Sequence, residues 1–483
     1  MTGVTRATAP ISSGPISAAR RLTTLLVMIV PAALWFAPLP LDPKAHHAVA
    51  IAAFMILGWI TEALPHGVTG LIGCYLFWAL GVARFDVAFS GFANDSPWFW
   101  LAAVAFGIMA ANSGLARRLA YSVMLRIGTT PSRVLLAVIV TDFLLTVLIP
   151  AGVARVVILA AVALGMMEAM GLAPGSNIGR GVFLILTYTA GVFDKSIIAG
   201  AAAITGRAII ESQGHVAVLW SRWFLAYAPA DIVTILVAWR ITLWLFPPEQ
   251  VPLAGGVRFL RAELQKMGAW TVIEKRTLAL ILLAVALWIT DFLHHIPPSM
   301  VCIGITLLAA IPAVGLLDLR DLGRKNYLFL FSFVASAVSM GEVLKATKTL
   351  DILTNHLFLW VGPLLTRPYL SSFALYWAGF ISHILLGSEV SMMATSLPVL
   401  MNFAHSHHLN ALALGMIWTF SSGGKIFMYQ SSVLIVGYSY GYFGPKDLFR
   451  LGLCMSIVDS LQLLLLVPLY WPLVGIGPLV IGN

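Results

Sequence analysis

Apolar runs of about twenty residues recur along this chain from Leu22 onward, parted by short polar connections. At the helical rise, runs of that length match the hydrocarbon thickness of a bilayer. Hydrophobic residues make up 60% of the 483 and charged residues only 10%, with a mean hydropathy of +0.93. A soluble domain carries roughly 25% charged residues, and no soluble core of this size would hide so much apolar surface. Lipid must cover it. The chain is therefore read as an all-α integral membrane protein.

The formal charge of +9 raises the question of nucleic acid, and its distribution answers it. Once spans are assigned, eighteen of the twenty-nine Lys and Arg lie on one side, among them Arg117, Arg118, Arg126, Arg258, Arg261, Lys446 and Arg450. Six lie on the other side (Lys44, Arg84, Arg222, Lys345, Lys348 and Arg367), and the remaining five at membrane depth. Such a bias marks the basic side as cytoplasmic. It puts the N-terminal tail, 1–21, in the cytoplasm and the C-terminus on the periplasmic or extracellular side of an inner membrane. Charge here is a topology signal, and no nucleic-acid partner is expected. Leu22 to Leu39 is read as a first span rather than a cleaved leader. Cys74, Cys302 and Cys454 lie far apart in apolar segments and read as packing residues.

Spans are expected at 22–39, 47–64, 66–83 and 97–113, then a basic amphipathic stretch, Gly114 to Gly128, lying in the interface. Pro131 to Gly171 is apolar but broken at Ile149-Pro150-Ala151-Gly152, and Arg133 and Arg180 bracket it on the same side. A re-entrant hairpin over 131–171 fits better than two crossings. A helix over 181–212, interrupted at Asp194-Lys195-Ser196, and a span over 223–246 complete the first half, 22–246. The polar stretch 247–276 forms a cytoplasmic connection. The second half, 277–483, repeats the order: spans 277–294, 298–317 and 326–344, a charged segment Glu342 to Asp351, and a hairpin over 363–404 broken at Gly387-Ser388-Glu389. An interrupted helix over 409–437, broken at Ser421-Ser422-Gly423-Gly424-Lys425, and a span near 448–472 follow. The halves differ by an odd number of crossings and so read as inverted repeats. Paired broken segments in inverted halves point to a midplane transport site.

A half-helix that ends inside the membrane offers unpaired N–H groups and a partial positive charge at that depth. The first tip reads Ala151-Gly152-Val153-Ala154-Arg155, where small residues admit close backbone approach and Arg155 is a fixed cation. The second reads Ser388-Glu389-Val390-Ser391, with hydroxyls and one carboxylate. In the interrupted helices, Asp194-Lys195-Ser196 and Ser421, Ser422, Gly424 and Lys425 stand at the breaks, each lysine six residues before a small pair. A charge at the bilayer centre costs at least about 2.5–3.5 kcal/mol on the insertion scale. Local pairing is the plainer reading: Arg155 with Asp142 or Glu389, and Lys195 with Asp194. Pairing and transport are not exclusive. Arg207 and Arg240 are expected to snorkel to an interface, His383 reads as a core residue, and Asp231 has no evident partner. His46-His47, His294-His295 and His407-His408 lack helical ligand spacing. No enzyme chemistry, metal site or cofactor is expected.

Several segments resemble the divalent anion:sodium symporter family: Gly58-Trp59-Ile60-Thr61-Glu62-Ala63-Leu64-Pro65 with Thr69-Gly70-Leu71, Phe89 to Asn94, and Ser113 to Arg118. Gly437 to Gly444, Asp447-Leu448 and Tyr470-Trp471 extend the likeness to the C-terminal end. The resemblance implies a homodimer of eleven crossings and two hairpins per protomer, with an elevator-like transport domain. It also implies a small anion as cargo, a di- or tricarboxylate or sulfate. In the family each tip carries Ser-Asn-Thr, which contacts substrate carboxylates with sodium close by. Here those positions read Ala151-Gly152-Val153 and Ser388-Glu389-Val390, so the contacts do not transfer. Lys195 and Lys425 are expected to put permanent charge where the family puts sodium, which would make the carrier sodium-independent or an exchanger, with Arg155 holding the anion. The coupling ion stays open between sodium, proton and none. Two other readings stay open: a same-fold carrier of a neutral or cationic solute recognised through Glu389, and a non-transporting sensor or scaffold.

Overall fold

A computed structural model describes residues 18–128, 130–149, 151–198, 200–249, 254–318, 320–323, 327–350, 352, 358–364 and 367–480. Most of the N-terminal tail, Pro150 of the first tip, Arg324, Lys325 and Asp351 lie outside them. The chain is all-α, as its apolar periodicity requires. Eight helices among the described residues are long and apolar enough to cross a membrane, or nine if Asp95–Ser113 and Leu115–Ile127 count as one bent span. Breaks split several of the expected crossings into shorter helices such as Ala411–Ser421.

Local chemistry sets the boundaries. Pro131–Leu148 starts with proline at its first turn and the Thr130 hydroxyl accepting the Arg133 N–H at 3.3 Å. Asp95–Ser113 ends at Gly114, whose φ of 84° needs a residue without Cβ; the chain then turns by 69° into Leu115–Ile127. The latter is helical over the stretch read as amphipathic. Val272–Ile289 opens with a capping box between Thr271 and Glu274. The same Glu274 carboxylate takes Arg118, with Nε at 2.6 Å and Nη2 at 3.1 Å. Arg118 also donates to the Gly268 carbonyl at 3.0 Å and lies 5.3 Å from the Trp270 ring.

Two helix–tip–helix units stand at the segments read as hairpins. The first has arms Pro131–Leu148 and Gly152–Ala169, and the second Pro368–Leu386 and Glu389–Ser406. The first interrupted helix is Asn177–Val192, a 3-10 turn Phe193–Lys195, then Gly200–Gly214; the second is Ala411–Ser421, a turn Met428–Gln430, then Ser432–Tyr438. Each leading half packs on its own hairpin: Asn177–Val192 on both arms of the first, Ala411–Ser421 on both arms of the second. Each trailing half crosses over, Gly200–Gly214 onto Glu389–Ser406 and Ser432–Tyr438 onto Gly152–Ala169. That exchange brings four interruptions together. Around them, Asp95–Ser113 packs on Pro298–Ala310 and His66–Ala79 on Tyr327–Ala346. The latter pair is close enough that a Cβ on Gly67 would stand 2.0 Å from the Phe329 carbonyl oxygen.

The connection 247–276 is more than a linker. It holds the helix Ala254–Lys266, which packs against Gly152–Ala169 and Leu115–Ile127. Leu260, Leu264 and Met267 follow a helical stripe, and Phe259 seats over Gly165. Arg207 does not snorkel. It is buried, ion-paired to Asp95 at 3.2 Å and Glu211 at 2.7 Å, because its helix faces protein rather than lipid. Arg240 lies over Trp239 at 4.7 Å.

Arg118→Ala is expected to destabilise the protein by about 3 kcal/mol, the usual loss on orphaning one partner of a buried ion pair. The readout is the midpoint of thermal unfolding in detergent, and an unchanged midpoint would contradict the assignment.

Candidate transport site

The first tip is drawn tight by one guanidinium. Arg155 sits in the first turn of Gly152–Ala169 and turns away from the tip into the protein, where it is fully buried. Nε donates to Asp142 Oδ1 at 3.0 Å, Nη1 to the Ile149 carbonyl at 2.8 Å, and Nη2 to the Ala190 carbonyl at 2.5 Å. Nη1 also pairs with Asp194 Oδ1 at 2.8 Å. One side chain thus joins the opposite arm, the tip and the break of the first interrupted helix. Gly152 is obligatory here, since a Cβ would stand 2.9 Å from the Ala190 carbonyl oxygen and 3.1 Å from Asp194 Oδ2.

The two lysines meet. Lys425 Nζ donates to the Gly191 carbonyl at 2.7 Å and pairs with Glu389 Oε2 at 2.9 Å. Lys195 Nζ donates to the same carbonyl at 3.1 Å and lies where a Cβ on Gly423 would come within 2.7 Å. Each ammonium therefore reaches the other helix's break, and both are buried. Gly191 belongs to the last turn of Asn177–Val192, where carbonyls are unpaired and the helix dipole is negative, so cations are favoured. Lys195 does not pair with its neighbour Asp194, which Arg155 takes. Asp231 finds the Ser196 hydroxyl at 2.6 Å.

Other sequence candidates make local hydrogen bonds here. The hydroxyls of Ser421 and Ser422 donate back to the Trp418 and Thr419 carbonyls, each at 2.7 Å. Ser391 donates its backbone N–H to Ser388 Oγ at 3.1 Å, capping Glu389–Ser406. Gly424 lies against Phe380 and Ser456. Gln430 went unnoticed in the sequence, and His383 was read only as a core residue. Gln430 Oε1 accepts the N–H groups of Ile426 and Phe427 at 2.7 and 2.8 Å, and the His383 ring lies 3.2 and 3.1 Å from the carbonyls of Gly424 and Gln430. Together they brace the second break. A buried amide or ring beside a Gly-Gly break is a weak signal in sequence alone.

A cavity of about 830 Å³ opens in front of this cluster. Both tips line it, through Ala151, Gly152 and Val153 and through Ser388, Glu389 and Val390. So do the starts of both trailing halves, Gly200-Ala201 and Ser432-Val433, together with Ser431 and Asp194. Four helix N-termini thus border one space. The facing wall includes Glu62, His66, Trp100, Asn112 and Tyr327. Arg155, Lys195 and Lys425 are not among its lining residues; they stand behind, and only their partners Asp194 and Glu389 reach the surface. Glu389 Oε1 also accepts the Ser431 hydroxyl at 3.2 Å. Among the described residues, no three His, Cys, Asp or Glu are grouped to hold a metal ion.

The family model for the sodium:sulfate symporter transmembrane region matches residues 18–476. An L-tartrate/succinate antiporter of Shigella dysenteriae is 24% identical over 94% of this chain and 97% of that protein. A citrate/succinate antiporter of Escherichia coli is 22% identical over 93% and 97%, respectively. Dicarboxylate transporter 1 of spinach chloroplasts (Spinacia oleracea) is 23% identical over 92% of this chain and 79% of that protein. Among solved structures, MtrF of Neisseria gonorrhoeae, described as illuminating a class of antimetabolite efflux pumps, matches in fold at a TM-score of 0.55. That match has 12% identity and covers 91% of this chain and 96% of the other. A near full-length family match on an all-helical membrane fold leaves no room for an enzyme: the chain belongs to the divalent anion:sodium symporter family and is a multi-pass membrane transporter.

Proposed function

We propose that this chain exchanges small anions of the di- and tricarboxylate class across the inner membrane without sodium. In this reading the two hairpins and two interrupted helices move together as an elevator past a fixed scaffold. The protomers form a homodimer, the halves are inverted, and the N-terminus faces the cytoplasm. One observation carries the sodium independence: the ammoniums of Lys195 and Lys425 share the Gly191 carbonyl. The negative end of a half-helix, where a monovalent cation would be drawn, already holds two. A third positive charge there would meet unscreened repulsion in a low dielectric.

Cargo recognition then falls to backbone rather than to Arg155, whose donors are engaged behind the wall. The N-termini of Gly152–Ala169, Gly200–Gly214 and Glu389–Ser406 border the cavity, and their amides and dipoles suit a carboxylate. Asp194 and Glu389 are each paired with a buried cation, so they repel an anion less than free carboxylates would. Relatives named as tartrate, citrate and succinate antiporters support both the cargo class and exchange. A second reading has its own support. Glu62, Asp194, Asp321 and Glu389 line the cavity, while no Lys or Arg is among its described lining residues, which suits a neutral or cationic solute.

Purified protein in liposomes loaded with succinate is expected to take up labelled succinate, citrate or tartrate equally well in sodium and in choline. Strict sodium dependence rejects the charge-substitution reading. Stabilisation in a thermal-shift screen by neutral or cationic solutes alone favours the second reading, since a bound ligand stabilises in proportion to ln(1 + [L]/Kd). No flux with any of these returns the chain to a sensor or scaffold role.

Lys425→Ala is expected to lower exchange by at least about a hundredfold, of the order lost when a charge pair worth about 3 kcal/mol is broken, and Lys195→Ala, which removes the second donor to the Gly191 carbonyl, to lower it as well, with dimer assembly retained in both. Wild-type exchange in both would make the lysines purely structural. Gly191→Ala tests position without removing charge, because its Cβ would stand 2.6 Å from Lys425 Nζ. It is expected to fold and to exchange slowly, as read by counterflow in the same liposomes.

A further inference from the structure

Outside the transport cavity, a second hollow of about 280 Å³ lies between the second helix break and the start of the last long helix, Pro445–Leu465. Its walls are apolar: Ile426, Phe427 and Met428 from the break, Pro445 and Phe449 from the helix. Phe427 and Phe449 are exposed, with ring centroids 6.3 Å apart, and Phe427 stacks on Tyr429 at 5.6 Å. Two cations complete the lining, Lys446 and Arg450. They stand four residues apart, one helical turn, on the same helix face. Both are exposed, and neither has an ion-pair partner among the described residues. The nearby carboxylate of Asp447 is turned back to cap the Gly444 N–H at 2.9 Å.

We propose that this hollow holds an anionic phospholipid, its phosphate on Lys446 and Arg450 and an acyl chain against Phe427 and Phe449. The chemistry fits on three counts. Unpaired Lys and Arg at the end of a membrane helix attract anionic headgroups. An exposed aromatic wall beside them favours the interfacial part of a lipid over a small soluble ion. An amphiphile also satisfies both halves of the hollow at once, whereas a free phosphate would leave the aromatic rings uncovered. The site bears on transport, because its far wall continues into the break that carries Lys425. The Lys425 carbonyl is pressed so close to the last helix that a Cβ on Gly452 would stand 2.0 Å from it. A lipid seated here braces the backbone behind the ammonium, whatever the cargo.

The test is thermal unfolding of the detergent-purified full chain with dihexanoyl-phosphatidylglycerol, dihexanoyl-phosphatidylcholine or glycerol 1-phosphate. Phosphatidylglycerol alone is expected to raise the midpoint. Lys446→Gln with Arg450→Gln is expected to weaken that lipid by about twenty-five-fold, at roughly fivefold per basic side chain. Equal stabilisation by phosphatidylcholine, equal stabilisation by glycerol 1-phosphate, or an unchanged response in the double variant overturns the proposal. Should the double variant fail to fold, Phe449→Ala keeps both cations and removes one wall. A severalfold weaker response to phosphatidylglycerol is then expected, and an unchanged one overturns the proposal. A hollow that instead mates with a second copy would show as dissociation of the oligomer in either variant, which also overturns it.

Discussion

Two ammonium groups rest on the carbonyl oxygen of Gly191, and much of the interior is organised to make that tolerable. Burying two like charges side by side is among the costliest arrangements a membrane protein can hold. Part of the cost is met by an acid from another element, since Glu389 from the second hairpin pairs with Lys425. It is also met by backbone, since the accepting carbonyl ends a half-helix. Both glycines that face the ammoniums, Gly191 and Gly423, are bare because a methyl would occupy the space of the nitrogen.

The overall shape was largely legible. Apolar run lengths, the interruptions near Asp194 and at 421–425, and the proline and threonine that open Pro131–Leu148 are local signals. They depend on residues a few positions apart. The family resemblance rests on segments that now lie mostly in helix ends and turns near residues 58–118. The tips were located in sequence too, although not what their side chains do. Arg155 looked like an anion ligand because it follows the tip, yet its rotamer faces Asp142, Ile149 and Ala190.

What stayed hidden depends on distance along the chain. Lys425 and Gly191 are 234 positions apart, and Arg207 and Asp95 are 112 apart. Only the crossover of the trailing half-helices decides such contacts. Ser196 and Asp231, 35 residues apart on successive elements, are a smaller case of the same problem. The helix Ala254–Lys266 was missed for another reason. Arg258, Arg261, Glu263 and Lys266 are interleaved with its apolar residues, so it reads as a polar connection until Leu260, Leu264 and Met267 are seen to share a face.

Arg155 carries a mechanical consequence. With its guanidinium fastened to the far arm, to the tip carbonyl and to the neighbouring helix, the first hairpin cannot hinge upward as a flap without stripping several buried hydrogen bonds at once. Lys425 and Glu389 impose the same restraint on the second hairpin. Opening by peeling back one tip is therefore costly on either side. The exchange proposed above would therefore carry all four interrupted pieces as one stiff block, their mutual spacing kept.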